Sequence, residues 1–186
     1  MKILVTGGGG MVGRQMTYGI KTDLPDFDIL SKESINCGLI SHRPDVVIHL
    51  AANTDIADCE RNPSKAYEVN AVGTYNVAIA CRNRDLRMIY LSSGMVLDGR
   101  QDKYSEGDFP NPLNVYGCTK LVGEWIVKDL VPKHLIVRTG WLFGGGPFID
   151  KKFVGYCIKR LSANQSVIAI PDRFGSPTYV PDLLAT

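Results

Sequence analysis

Tyr116 and Lys120 stand four residues apart in the run Tyr116-Gly117-Cys118-Thr119-Lys120. On a helix, that spacing stacks phenol and ammonium on one face. A phenol with an ordinary pKa near ~10 exchanges protons poorly at neutral pH unless a neighbouring cation favours its anion. Lys120 is such a cation, and its ammonium can also hydrogen-bond a cofactor ribose. Taken alone, the pair also fits an ordinary solvent-facing helix surface. Ser92-Ser93 closes an apolar run that begins at Arg87. A serine at the C-terminal end of a strand lies where open α/β sheets bind their ligands, and it can donate a hydrogen bond to a carbonyl. Serine, tyrosine and lysine together make a ketone-reducing set, provided that a nicotinamide supplies the hydride.

A place for such a cofactor is written at the N-terminus. Thr6-Gly7-Gly8-Gly9-Gly10-Met11-Val12-Gly13 follows an apolar run directly, with Gly7, Gly10 and Gly13 spaced three apart. Lacking a Cβ, the first can turn tightly, the second can let backbone approach a pyrophosphate, and the third can let helix and strand pack closely. The helix that follows would aim free N–H groups at phosphate oxygens. Four consecutive glycines also suit a plain flexible turn, but a strand before and a helical pattern after favour the dinucleotide reading. The acid that grips an adenosine ribose is expected about 20 residues on. Asp23 is the nearest candidate, with Lys21 close by. A carboxylate there favours NADH and a cation favours NADPH, so the cofactor is written as NADPH or NADH.

These groups need a scaffold. Residues 2–6, 45–50, 87–92 and 134–138 read as short, nearly uniform apolar strands. Between them, 64–83 reads as a helix with Asn62 as N-cap and Pro63 at its first position. Residues 115–129 read as another helix, with Leu121, Val122, Trp125 and Ile126 on its buried face. Buried strands alternating with helices predict right-handed crossovers and a doubly wound parallel sheet, an α/β Rossmann fold. The stretch 14–36 is the least regular. Gly19 and Pro25 interrupt it, which predicts a shortened first helix and an irregular second strand around 27–30.

Composition removes other classes. The chain has 186 residues, 45% hydrophobic and 22% charged, with a formal net charge of +2. That is enough apolar material for a core, and too even a charge balance to predict a nucleic-acid or membrane partner. No apolar run approaches the ~20 residues of a membrane span. Five scattered cysteines without a Cys-x-x-Cys pair, and three unclustered histidines, predict reduced thiols in a cytoplasmic protein and no metal site. His49 and His134 read as packed or solvated residues. Arg82, Arg84 and Arg87 read as a solvated surface.

With these motifs on the page, the chain resembles the extended short-chain dehydrogenases/reductases, the NAD-dependent epimerase/dehydratase superfamily. Within them it is most similar to the dTDP-4-dehydrorhamnose reductases. The resemblance rests on the ordered run of the glycine loop, Leu50-Ala51-Ala52-Asn53-Thr54, Val69-Asn70-Ala71-Val72-Gly73-Thr74, Tyr116 with Lys120, Arg138-Thr139-Gly140-Trp141, and Gly175-Ser176-Pro177-Thr178-Tyr179. It implies reduction of the 4-keto group of a nucleotide-activated deoxysugar with NADPH or NADH. Tyr116 would be the proton donor, Lys120 its partner and Ser93 the carbonyl polariser. Gly7, Gly10, Met11, Val12 and Gly13 would hold the pyrophosphate, Asp28 and Ile29 would border the adenine, and Ala51, Ala52, Asn53 and Thr54 would line the cofactor's other side. Tyr116 and Lys120 would touch the cofactor as well. Ser93, Gly94 and Trp141 would meet the sugar. Asn70 would support the lysine, or simply bond a neighbouring strand.

Two departures stand out. The family's usual Ser-Thr-Asp-Tyr at the third strand end reads Ser92-Ser93-Gly94-Met95 here, which keeps the hydroxyl but loses a sugar-facing carboxylate. The family also continues well past the Gly-x-Pro-Thr-Tyr segment, so residues 1–140 read as the Rossmann domain and 141–186 as the incomplete start of a substrate-binding part. A homodimer fits the resemblance. The alternatives are a nucleotide-sugar epimerase or dehydratase on the same scaffold, or a non-catalytic cofactor-binding subunit like the regulatory beta subunit of methionine adenosyltransferase.

Overall fold

The computed structural model describes residues 1–169 and 175–186. Five parallel strands form the main sheet: β1 (Ile3–Thr6), β2 (Ile20–Thr22), β3 (Val46–His49), β4 (Arg87–Ser93) and β5 (His134–Thr139), in the order β2-β1-β3-β4-β5. The chain leaves β1 for β2 on one side and returns for β3 on the other. A crevice therefore opens at the C-terminal ends of β1 and β3. Helices α1 (Met11–Gln15), α2 (Lys32–His42), α3 (Ile56–Arg61), α4 (Pro63–Tyr67), α5 (Gly73–Arg82) and α6 (Val115–Leu130) make the connections.

The core is where strand and helix faces meet. Leu4, Val47, Met88 and Tyr90 from the sheet pack with Ile35 and Leu39 of α2, Val77, Ala78 and Cys81 of α5, and Val127 of α6. Removing such side chains from water, at roughly 25 cal/mol per Å² of apolar surface, is what fixes the helices on the sheet.

The first helix is short, as the sequence predicts, but the second strand is Ile20–Thr22 and not 27–30. Residues 27–30 form no regular element. Instead Phe27 and Ile29 are buried plugs, pressed against the faces of α2 and α5 that Gly38 and Gly73 leave bare. Helix α2 was not foreseen; it is capped by Ser31, whose side chain accepts the Ser34 N–H, and it buries only Ile35 and Leu39.

The helix expected over 64–83 is interrupted by a π-helical turn at Glu68–Val72. Asn62 stands at the N-cap position, yet its side-chain amide donates to Asp58 and does not cap the helix. On α6 the predicted face is rotated. Leu121 is buried, Val122 and Ile126 are half-buried, and Trp125 is 58% exposed. Gly123 decides this rotation: a Cβ there would fall 2.1 Å from the Tyr90 hydroxyl, so the bare side of the helix must face β4. Lys120, Glu124 and Val127 turn inward with it.

After β5 the chain makes a second, two-stranded parallel sheet from β6 (Trp141–Phe143) and β7 (Pro177–Tyr179), with α7 (Phe153–Ser162) and α8 (Val180–Ala185). Among the described residues, no helix is long and apolar enough to cross a membrane, no group of side chains has a metal site's make-up, and the five cysteines are unpaired.

Candidate active site

A cleft of about 2090 Å³ runs along the C-terminal ends of the main strands. Every residue singled out from the sequence as catalytic, cofactor-binding or substrate-facing lines it: Gly7, Gly10, Met11, Val12 and Gly13 at the glycine loop, Asp28 and Ile29 after β2, the 51–54 segment after β3, Ser93 at the end of β4 and Gly94 after it, Tyr116 and Lys120 on α6, and Trp141 on β6. The volume is about twice the upper range of an ordinary small-ligand pocket, which suits a dinucleotide and a second ligand together.

The glycine loop is shaped by close backbone packing. Gly7 has a left-handed φ of +70°, and a Cβ on it would lie 2.6 Å from the Ala51 nitrogen. A Cβ on Gly13 would lie 2.6 Å from the Cα of Gly8. Met11, Val12 and Gly13 form the first turn of α1, so their N–H groups have no acceptor within the helix. A bare backbone loop with free amides fits a pyrophosphate.

Asn53 is the anchored member of the 51–54 segment. Its N–H donates to Asn70 Oδ1 at 2.7 Å, and its carbonyl accepts from Asn70 Nδ2 at 3.0 Å. Asn70 is fully buried and also donates to Thr119 Oγ1 at 2.9 Å. One asparagine thus ties the wall of the cleft to the residue before Lys120. It serves the lysine's helix through Thr119 and bonds a loop, not a strand. Thr54, at the rim, accepts a hydrogen bond from the Lys152 ammonium at 3.3 Å.

Helix α6 is set firmly at its start. Asn114 accepts the Gly117 N–H at 2.7 Å, and Glu60 accepts the Val115 N–H at 2.8 Å. A Cβ on Gly117 would fall 2.2 Å from the Met95 carbonyl, so the helix presses on the short turn that follows Ser93. This contact brings the Ser93 hydroxyl beside the Tyr116 phenol. Burial raises the phenol's pKa, and the serine hydroxyl works in the opposite direction.

Lys120 is only 2% exposed. Its ammonium lies 4.1 Å from the ring centroid of Tyr90, a cation–π contact in a dry setting. Burial pulls its pKa down to about 7, against the opposing pull of Glu124. Beneath it, the strands align Thr6, His49 and Tyr90 side by side. Thr6 Oγ1 bonds His49 Nδ1 at 2.7 Å, His49 Nε2 bonds Thr74 Oγ1 at 3.1 Å, and the imidazole stacks on Tyr90. Complete burial, with Lys120 nearby, holds the His49 pKa at about 3, so the ring is neutral. His49 is a packed residue, as expected. Glu124, one turn after Lys120, accepts both Arg138 Nε at 2.9 Å and Arg138 Nη2 at 2.7 Å, and the Ser92 hydroxyl donates to it.

Tyr90, Glu124 and Arg138 were missed from the sequence. Glu124 carried a usable signal, since its spacing from Lys120 puts both on one helix face. Tyr90 carried none, because its role depends on strand register. Position 94 has room: a Cβ there would meet only the Thr139 carbonyl, at an ordinary 3.6 Å. Trp141 is half-buried, edge-on to Phe153, with Gly175 against its indole.

Comparison with known proteins agrees along the whole chain. Residues 1–186 match the family model described as RmlD substrate binding domain. A dTDP-4-keto-6-deoxy-D-glucose reductase of Streptomyces niveus is 35% identical over 97% of this chain and 65% of its own length. A dTDP-4-dehydrorhamnose reductase of Mycolicibacterium smegmatis is 36% identical over 98% of this chain and 58% of its own. The chain therefore spans less than two thirds of these relatives. A dTDP-4-dehydrorhamnose reductase from Bacillus anthracis, solved in complex with NADP, superposes with a TM-score of 0.90 at 34% identity over all of this chain and 69% of that one.

Proposed function

The chain belongs to the RmlD substrate binding domain family, and from that premise we propose that it reduces the 4-keto group of a dTDP-activated deoxysugar at the expense of NADPH or NADH. The observation that carries the proposal is that Ser93, Tyr116 and Lys120 line one cleft together with the glycine loop. The bound nicotinamide would supply a hydride to the carbonyl carbon. Ser93 would donate a hydrogen bond to the carbonyl oxygen, and Tyr116 would give that oxygen the proton that completes the alcohol. Lys120 in its ammonium form would stabilise the phenolate left behind. Gly7, Gly10, Met11, Val12 and Gly13 would hold the pyrophosphate, Asp28 and Ile29 the adenine side, and Ala51 to Thr54 the opposite wall. Gly94 and Trp141 would face the sugar, with 1–140 as the cofactor unit and 141–186 as substrate wall.

The test is direct. The protein is mixed with NADH or NADPH and an enzymatically generated dTDP-4-keto-6-deoxysugar, and absorbance of the reduced nicotinamide is followed with loss of the ketone. Stoichiometric loss of both supports the reading. Cofactor binding without any ketone consumption overturns it.

A further inference from the structure

Lys120 has no carboxylate at close range. Among the described residues no ion pair includes it, and Glu124, one turn along α6, is committed to Arg138 and the Ser92 hydroxyl. What meets the ammonium is the ring of Tyr90, 4.1 Å from nitrogen to centroid, with Tyr90 wholly buried and Lys120 nearly so. Gly123 makes this contact possible. A Cβ there would collide with the Tyr90 hydroxyl, so a bare residue is needed for α6 to settle onto β4 with Lys120 over the ring. In such a dry place the negative face of an aromatic ring stands in for lost water.

The ring beside Tyr90 is kept uncharged by its own hydrogen bonds. His49, in register with Tyr90 on β3, stacks on it at 5.8 Å between centroids. The Thr74 hydroxyl has one proton and gives it to the Asn70 carbonyl at 2.7 Å. At the 3.1 Å contact with His49 Nε2, the imidazole is therefore the donor. His49 Nδ1 then accepts from the Thr6 hydroxyl at 2.7 Å, whose oxygen in turn accepts the Ala51 N–H at 3.4 Å. A proton added at Nδ1 would point at the Thr6 hydrogen.

We propose that Tyr90 is a positioning residue for ketone reduction: its ring face seats the Lys120 ammonium, and the neutral His49 beside it keeps a second cation away from that seat. This rests on the reading that Lys120 serves Tyr116 in a reductase. Around the ammonium, Tyr116 and Glu124 lie on α6 itself, and Arg138 of β5 is paired by Glu124. Cys59 of α3 is a neutral thiol, its pKa raised by burial, and Asn70 and Thr74 carry no charge. Burial already pulls Lys120 down to about 7, so loss of the ring face pulls it lower still.

The experiment follows the Lys120 titration by NMR of protein carrying isotope-labelled lysine, with the signal assigned by its loss in Lys120→Met and no ketone present. The midpoint should fall by about 1 pH unit in Tyr90→Leu and move by less than about 0.3 of a unit in Tyr90→Phe. Tyr90→trifluorophenylalanine keeps the shape of the ring and drains its face, so it should lower the midpoint even if Tyr90→Leu fails to fold. With ketone and cofactor added, the limb on which kcat falls with rising pH should move down by the same amount. An unchanged midpoint in the fluorinated variant overturns the proposal. An equal shift in Tyr90→Phe also overturns it, because the hydroxyl would then be the cause, and so does a kcat limb that stays in place. If the midpoint shifts but the unaltered protein reduces no ketone, the reductase reading falls while the seat of the ammonium stands.

Discussion

The five-stranded sheet and the segment after residue 140 are built on different terms. Among the described residues, Val180 alone of the fully buried apolar side chains comes from the later segment; the others lie at or before Val131. The later segment instead exposes Phe148, Phe153, Tyr156, Ile158 and Leu161. The residues proposed to handle the proton stand on the first region, where Asn70, Asn114 and Glu124 tie each supporting element down. Trp141, proposed to face the sugar, stands on the second, on a three-residue strand. On the proposed reading, chemistry common to many substrates would be placed on well-packed structure, and the wall that meets the variable part of the substrate on described residues with little core of their own.

Substitutions can break that contrast. The largest effect is expected at Tyr116→Phe, which removes the proposed proton donor and keeps the ring. Turnover should drop by about 10³-fold or more, with cofactor binding and Tm nearly unchanged. A variant that reduces ketone at a tenth of the normal rate would take the proton donor away from Tyr116.

Next comes Glu124→Leu, aimed at the anchoring itself. Glu124 is 5% exposed and pairs bidentately with Arg138 while accepting from Ser92. Its loss strands a partly buried guanidinium and should cost about 3 kcal/mol, read from denaturant unfolding. A loss below 1 kcal/mol would mean that the sheet region is not held as described.

The third expectation concerns acid. His49 ordinarily titrates near 6.5, and burial first, then Lys120, lowers this to about 3. Between these values the unfolded chain binds a proton that the folded chain refuses, so stability falls as pH drops through this window. The slope from this residue is at most about 1.4 kcal/mol per pH unit. Well above pH 6.5 His49 should add no pH dependence to stability, and His49→Gln should flatten the acid slope between pH 6 and 4. The same slope in the variant would assign acid sensitivity to other groups.

The contrast also governs what could be read from the sequence. Strands β1, β3 and β4 were legible because burial makes each a nearly continuous apolar run, and β5 was legible from Leu135-Ile136-Val137 although, as an edge strand, it leaves Leu135 55% exposed. The glycine loop and the Tyr116–Lys120 pair were legible because their spacing is local. Strand β2 was misplaced: Ile20-Lys21-Thr22 is a short edge strand with one exposed residue, whereas Phe27 and Ile29, apolar but irregular, fill gaps left by Gly38 and Gly73. The rotation of α6 turned on one contact, Gly123 against Tyr90, between residues far apart in sequence. The same is true of the Thr6–His49–Tyr90 row. No local pattern shows that three residues on three strands share a register.

The smallest effect, and the sharpest for the comparison, is at Trp141→Ala. Were Trp141 a core residue of the first region, truncation would cost about 3–5 kcal/mol of stability. It is half-buried instead, edge-on to Phe153 at 6.2 Å between ring centroids, with Gly175 close against its indole. Its loss should lower stability by only about 1 kcal/mol and raise KM for the sugar nucleotide about tenfold, leaving kcat and cofactor affinity within a factor of a few. A split of this kind says that the indole binds ground state and transition state alike, as a wall does. A fall in kcat with KM unchanged would instead place Trp141 with the reacting carbonyl. The division between a rigid chemical region and a loosely built binding wall would then run through the second region, not between the two.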